Sequence, residues 1–367
     1  MREGDQRTLN RKHISPRNTL TREYNTRIMY RSSLRTDETQ LPSPPNFSFP
    51  NQLKSHNRHP GRVTLMPADT HKDNPSEFPL RRVKPFTHVV DYEPFWSPDG
   101  QQILLVSSRH GGLKVHVMDA DSIDGGKDMQ QLTTGTMEDD SPSWSPDGRK
   151  IAYVSIRDGT SQIFVMNPDG TQEKQLTKGL GENIHPMWSA DSNRVLFNTT
   201  HFSITPQKGK NAPSDNRVIG EKIDEQMELA TIRLDGTDLK RITTGGGYTY
   251  ASFSPDDRYI LHRRIEAGAS RIFIRNVDTV DFQNLSGSSD LDGWPAWSSD
   301  GRRVVFSRRV NESFQIFVMN RDGSGVQQIT DASGEFTNPR WSPDGTRILC
   351  SRRSPPNITL AVFQAPD

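Results

Sequence analysis

The 367-residue chain has one cysteine, no long apolar run and almost no excess charge, and each shortage excludes something. A lone Cys350 forbids an intramolecular disulfide and leaves no Cys-x-x-Cys pair for zinc, so it reads as a buried strand residue. No stretch approaches the ~18 apolar residues of a membrane span, and the first thirty residues hold no apolar core of ~7 to 15 residues for an export signal. The chain as written is therefore expected in the cytoplasm, or in the periplasm if its start is misassigned. A net charge of +1 argues against a strongly basic nucleic-acid binder.

That near-neutral balance hides a division. Residues 1–80 carry thirteen Lys or Arg against eight Asp or Glu, leaving 33 against 37 beyond. The first part shows neither alternating nor helical apolar spacing. Its stretch "LPSPPNFSFPNQLKSHNRHPG" (41–61) has too little to bury to offset the entropy of ordering. Residues 1–80 are expected to be a disordered basic polar tail, and residues 81–367 a separate folded domain. Arginines recur from Arg2 to Arg35, but acids are interleaved and no recognition motif accompanies them, which disfavours nucleic acid as the partner.

Beyond residue 80 a period dominates. An aromatic opens each copy at Trp96, Trp144, Trp188, Phe253, Trp297 and Trp341, at spacings of 48, 44, 65, 44 and 44. A repeat of ~40 to 45 residues built from short strands predicts propeller blades of four strands each, and six copies predict six blades. In the second copy "SPSW" ends a first strand and "SPDG" turns. "KIAYVS" (150–155) and "QIFVMN" (162–167) follow as strands, and "EKQLT" is the fourth. No segment of helical length is needed.

The turn explains its own residues: Ser bonds the local backbone, Pro presets φ, Asp suits the third place, and Gly takes the place that needs positive φ. The variants "SADS" (189–192), "SPDD" (254–257) and "SSDG" (298–301) keep the Asp and lose Pro or Gly. A turn tolerates such drift, and one catalytic centre has no use for six equivalent copies. The repeated residues are therefore scaffold, and function belongs where the copies differ. The last copy lacks a fourth strand, while "RRVKPFTH" (81–88) matches fourth strands such as "MQQLTT" (129–134); an N-terminal strand is expected to close the ring and remove its open edges.

The pattern P-x-W-S-P-D-G, I-A-Y-V-S, I-F-V-M-N-x-D-G, L-T resembles the Pro-Asp-type propeller repeat of the TolB family over residues 81–367. The resemblance implies an all-β, six-bladed β-propeller of a kind that serves as protein-binding platform, sensor domain or peptidase lid. No Gly-x-Ser-x-Gly elbow appears. Oligogalacturonate lyases, with similar repeats, bind a metal through clustered histidines, whereas His88, His110, His116, His185, His201 and His262 include no His-x-His pair. Lactonase-like propellers hold a central calcium with carboxylate and Asn oxygens; Glu93, Asn183, Asp292 and Asn338 are the residues that could hold one here.

Three positions before each blade aromatic the side chain should lie at the channel: Glu93, Ser141, His185, Tyr250, Trp294 and Asn338, with Asp91, Asp139, Asp140, Asn183, Tyr248 and Asp292 nearby. Two readings stand for this non-repeating set. Its acids, amides and aromatics form a binding surface, with Glu93, Asp139, Asp140, His185, Tyr250, Asp292, Trp294 and Asn338 as its candidates, or they line a water-filled channel and satisfy one another. The expected function is a non-catalytic platform for a protein or peptide at the channel mouth, without a cofactor. The alternative is a metal-dependent hydrolase, lactonase or lyase, with calcium in the channel. Between "RVLFNTT" (194–200) and "ELATIRL" (228–234) extra residues interrupt the third copy, a surface excursion or a recognition loop.

Overall fold

A computed structural model describes residues 89–366 apart from 124–127, 158, 180, 203–225, 267, 280, 288–290 and 332–333. These residues form six antiparallel sheets in sequential strand order, five of four strands and the last of three. The protein is the all-β, six-bladed propeller that its repeat predicts, and among the described residues the only helical element is the 3-10 turn Ala120–Ser122. The second blade runs Asp139–Trp144, Ile151–Arg157, Thr160–Met166 and Lys174–Gln175, within two residues of the sequence reading. The expected tail, the expected closing strand 81–88 and most of the third-blade insertion lie outside the described residues.

Stability resides between blades as much as within them. Each blade alone has two apolar faces to cover, and the opening aromatic covers one of them against its neighbour. Trp144 packs with Leu104, Val115 and Val117 of the first blade and Ile151 and Tyr153 of its own. Trp188 likewise joins Ala152 and Ile163 to Val195 and Phe197. The first and last blades share the cluster of Trp96, Ile103 and Leu105 with Leu349, so the ring is closed by packing. Just before the first strand, Val89 accepts from the Ile358 amide at 3.1 Å. Val90 bridges Ile358 in parallel, as Leu291 bridges Ser270 between the fourth and fifth blades.

The "SPDG" turns repeat almost atom for atom. In all six the serine hydroxyl donates to the aspartate two residues on, at 2.5–2.6 Å. It accepts from the amide five residues on at 2.9–3.0 Å. The fourth turn residue is left-handed everywhere, at φ 72°, 71°, 59°, 56°, 68° and 73° for Gly100, Gly148, Ser192, Asp257, Gly301 and Gly345. Where glycine is missing the side chain does other work. Ser192 accepts from the Asp147 amide at 3.2 Å, and Asp257 accepts from the Ala190 amide at 2.9 and 3.0 Å, each tying its turn to that of the blade before. The drift away from glycine is thus offset by contacts between turns.

Candidate functional site

The first strands place the site. Each carries a one-residue bulge against its partner strand, in the first blade between Tyr92 and Phe95 and in the last between Thr337 and Arg340. At the bulge one non-glycine residue stands in the left-handed region: Glu93, Ser141, His185, Tyr250, Trp294 and Asn338, with φ of 50–54°. These are the six positions read from the sequence. In five blades the next residue is proline, which has no amide to pair and so suits a place where the ladder is interrupted. Six left-handed residues in one ring are a property of the fold; which side chains they carry is particular to this chain.

An open cavity occupies the axis, lined among others by Glu93, Ser141, His185, Tyr250, Asn338 and Arg340. Its two halves differ. On one side the His185 ring stacks on Tyr250, centroids 4.1 Å apart, and Tyr250 meets Trp294 at 5.7 Å. The buried Arg263 guanidinium lies 4.8 Å from the Tyr250 centroid, and its Nε donates to Thr249 Oγ1 at 2.7 Å, which fixes it there. Trp294 itself is fully covered and packs edge-on against Phe314. The other half is polar. Glu93 accepts from the Ser141 amide at 2.8 Å, and its own amide donates to Ser351 Oγ at 3.2 Å.

Burial pushes the Glu93 carboxyl up to about 8, and the charge of Asp140 adds to the effect; the hydrogen bonds from Ser141 and the charge of Arg340 act against it. Burial also pulls the Arg340 guanidinium down to about 10, with Glu93 opposing. The cavity therefore sets a carboxyl whose neutral form is favoured by burial beside a cation.

Several sequence candidates lie elsewhere. Asp139 pairs with the buried Lys114 at 2.8 Å, and Asp292 gives both carboxylate oxygens to Arg308 at 2.8 Å. Asp91 is held by Ser107 and Arg109, and Asn183 donates to Gln162 Oε1 at 3.0 Å. The sequence places these residues near the channel because they stand two places before its positions on the same strands. The bulge interrupts the regular two-residue alternation of a strand, so residues two places earlier turn away from the cavity. Of the four oxygen donors considered for calcium, Glu93 and Asn338 line the cavity; Asn183 and Asp292 do not. A single carboxyl beside a guanidinium does not fit a divalent cation. Asp140 acts on the site through its charge on Glu93.

Two features escaped the sequence. Arg340 is one: two places after the bulge residue the blades read Phe95, Ser143, Met187, Ser252, Ala296 and Arg340, and aligning that register would have exposed the lone cation. The other is a histidine pair. His110 Nδ1 lies 2.9 Å from His116 Nε2 across a hairpin, although the two are six residues apart, and among the described residues no third His, Cys, Asp or Glu completes a ligand group.

A family model described as the TolB beta propeller domain matches residues 81–226 and 217–358. The chain belongs to the TolB β-propeller family. No curated protein matches it. Among solved structures it is similar to a protein assigned as TolB from Agrobacterium tumefaciens, with 23% identity, a TM-score of 0.55, and coverage of 76% of this chain and 91% of that one. TolB from Acinetobacter baumannii follows at 18% identity and TM-score 0.56, covering 77% and 62%. A gluconolactonase from Xanthomonas campestris is as similar in shape, at 15% identity and TM-score 0.55, covering 76% and 86%. At such identities the likeness shows the fold alone.

Proposed function

We propose that this TolB-family propeller is a non-catalytic platform that takes a protein or peptide partner at the mouth of its axial channel. The observation that carries the reading is the make-up of the cavity: an aromatic wall of His185 and Tyr250 faces the polar groups of Asn338 and Arg340. Aromatic rings supply contact area at low entropy cost, and polar groups opposite them fix orientation. The TolB neighbours, with their protein-binding family, agree with this reading; the gluconolactonase shows that an enzyme can share the shape. A hydrolase or lyase centred on calcium is less well supported, because Arg340 would oppose the ion and Asp292 is committed to Arg308.

The test is selection of random peptides displayed with free ends on the full chain. Enrichment on the native protein that disappears on Tyr250→Ala, with the melting temperature kept, is the expected result. No enrichment, together with a stoichiometric divalent ion and turnover of a lactone or uronide, would overturn the reading.

A further inference from the structure

Arg340 is the cation that lines the axial cavity. Asp91, Asp139, Asp292 and Glu335 each sit within ion-pair distance of a partner, respectively Arg109, Lys114, Arg308 and Arg353. Arg340 has no carboxylate within that distance among the described residues. Its one hydrogen bond goes to the carbonyl of the preceding Pro339 at 3.3 Å, and its buried Nε has no partner. Beneath it the Phe95 ring lies 5.5 Å from the guanidinium carbon. A half-buried guanidinium whose Nε is shut off from water, with no carboxylate in ion-pair reach, is left unsatisfied, and its flat fork of donors matches a carboxylate. In the same cavity Asn338 is 3% exposed, and its buried Oδ1 also has no partner. The site thus offers a carboxylate receptor, a carbonyl oxygen that lacks an N–H, and an aromatic wall.

Resting on the platform reading, we infer that the cavity captures the C-terminal residue of a partner peptide: Arg340 takes the terminal carboxylate, Asn338 Oδ1 accepts the adjacent amide N–H, and the last side chain lies against Tyr250 and His185. A chain terminus presents its carboxylate and its N–H on either side of a single Cα, closer together than in an internal Asp or Glu, and backbone ends are captured in this manner elsewhere. Glu93, from the neighbouring first blade, lines the same cavity and feels the charge of Arg340; Asp140 and Ser141 of the second blade, His185 of the third and Tyr250 of the fourth complete the surroundings. A Glu93 carboxyl that keeps its proton at neutral pH leaves Arg340 uncompensated for the ligand. As pH rises through about 8, Glu93 ionises and competes for it.

The experiment uses the full chain and three probes followed by saturation-transfer NMR titration: acetyl-Gly-Phe with a free C-terminus, its C-terminal amide, and acetyl-Glu-Phe-amide. The free acid should bind at least about tenfold more tightly than its amide, the worth of one charge-assisted bidentate contact. Arg340→Gln should abolish that preference and Arg340→Lys should keep part of it. If Arg340→Gln does not fold, the wild-type protein decides: affinity for the acid should fall through pH 8 while that for the amide stays level. Equal binding of acid and amide would overturn the carboxylate assignment and leave the platform reading standing. Equal binding of acetyl-Glu-Phe-amide and the free acid would move the carboxylate to a side chain and overturn the C-terminal assignment. Silence with all three probes would contradict both readings.

Discussion

The "SPDG" turns and the axial cavity treat carboxyl groups in opposite ways. At the turns, hydroxyl and amide donors surround an aspartate that remains in water: Ser342, then Thr346, pull the Asp344 carboxyl down to about 2. Serine hydroxyls likewise hold Asp99, Asp191, Asp256 and Asp300 below the usual carboxylate range. In the cavity, burial with few donors pushes Glu93 up. The first arrangement favours the charged form and contributes to folding; the second disfavours it and weakens the fold wherever the group is forced to ionise. One region is repeated six times and serves the scaffold. The other occurs once, at a cost in stability, as functional sites commonly do.

Removing a wall of the scaffold should have the largest effect. Trp144→Ala, which empties the seam between the first two blades, should lower stability by about 3–5 kcal/mol in a denaturant melt while leaving probe preference in the cavity unchanged. A loss of ligand preference in protein that still folds would blur the division between the regions.

The opposed pH dependences come next. For Glu93 the folded value lies above the ordinary 4.5, so the folded state retains a proton that the unfolded chain releases. Its contribution to stability is greatest below about 4.5 and falls as pH rises to about 8. Glu93→Gln should remove that fall, gaining on the order of 2 kcal/mol over wild type at alkaline pH, read from melts across the range. For Asp344 the sign is reversed: its contribution is present above the ordinary 3.8 and is lost as pH falls toward about 2. Glu93→Gln should leave this acid limb as it is.

Much of this contrast was legible in the sequence, for a physical reason. A repeat states its strands and turns six times, so drift in one copy, such as Ser192 or Asp257 in the place of glycine, is corrected by the others. The register three places before each aromatic held because every blade has the same bulge, and it brought Glu93, Ser141, His185, Tyr250 and Asn338 to one cavity. The same bulge defeated the neighbouring assignments. Proximity along the strand placed Asp139, Asn183 and Asp292 near the channel, whereas the chain turns at the left-handed residue and they meet Lys114, Gln162 and Arg308 instead. Arg340 lay hidden among strand residues of no fixed type. The His110–His116 pair depends on a hairpin bringing residues six apart into contact, which spacing rules do not reveal.

Smaller changes sharpen the comparison. Ser342→Ala removes the hydroxyl that organises a turn and should cost about 1 kcal/mol in the same melts, with a steeper acid limb missing from the last blade. Ser192→Gly relieves a left-handed non-glycine residue but gives up its 3.2 Å bond with the Asp147 amide. These nearly offset, so the net change should stay within about 0.5 kcal/mol of wild type.

The separation of scaffold from site is tested most directly by affinity for acetyl-Gly-Phe, measured on Arg340→Gln and on Ser342→Ala with the melting temperature of each. Arg340→Gln should bind the ligand at least about tenfold more weakly and keep or raise its melting temperature; Ser342→Ala should keep its affinity and melt lower. Ligand loss on Ser342→Ala in folded protein, or full affinity on Arg340→Gln, would contradict the assignment of function to the place where the six blades differ.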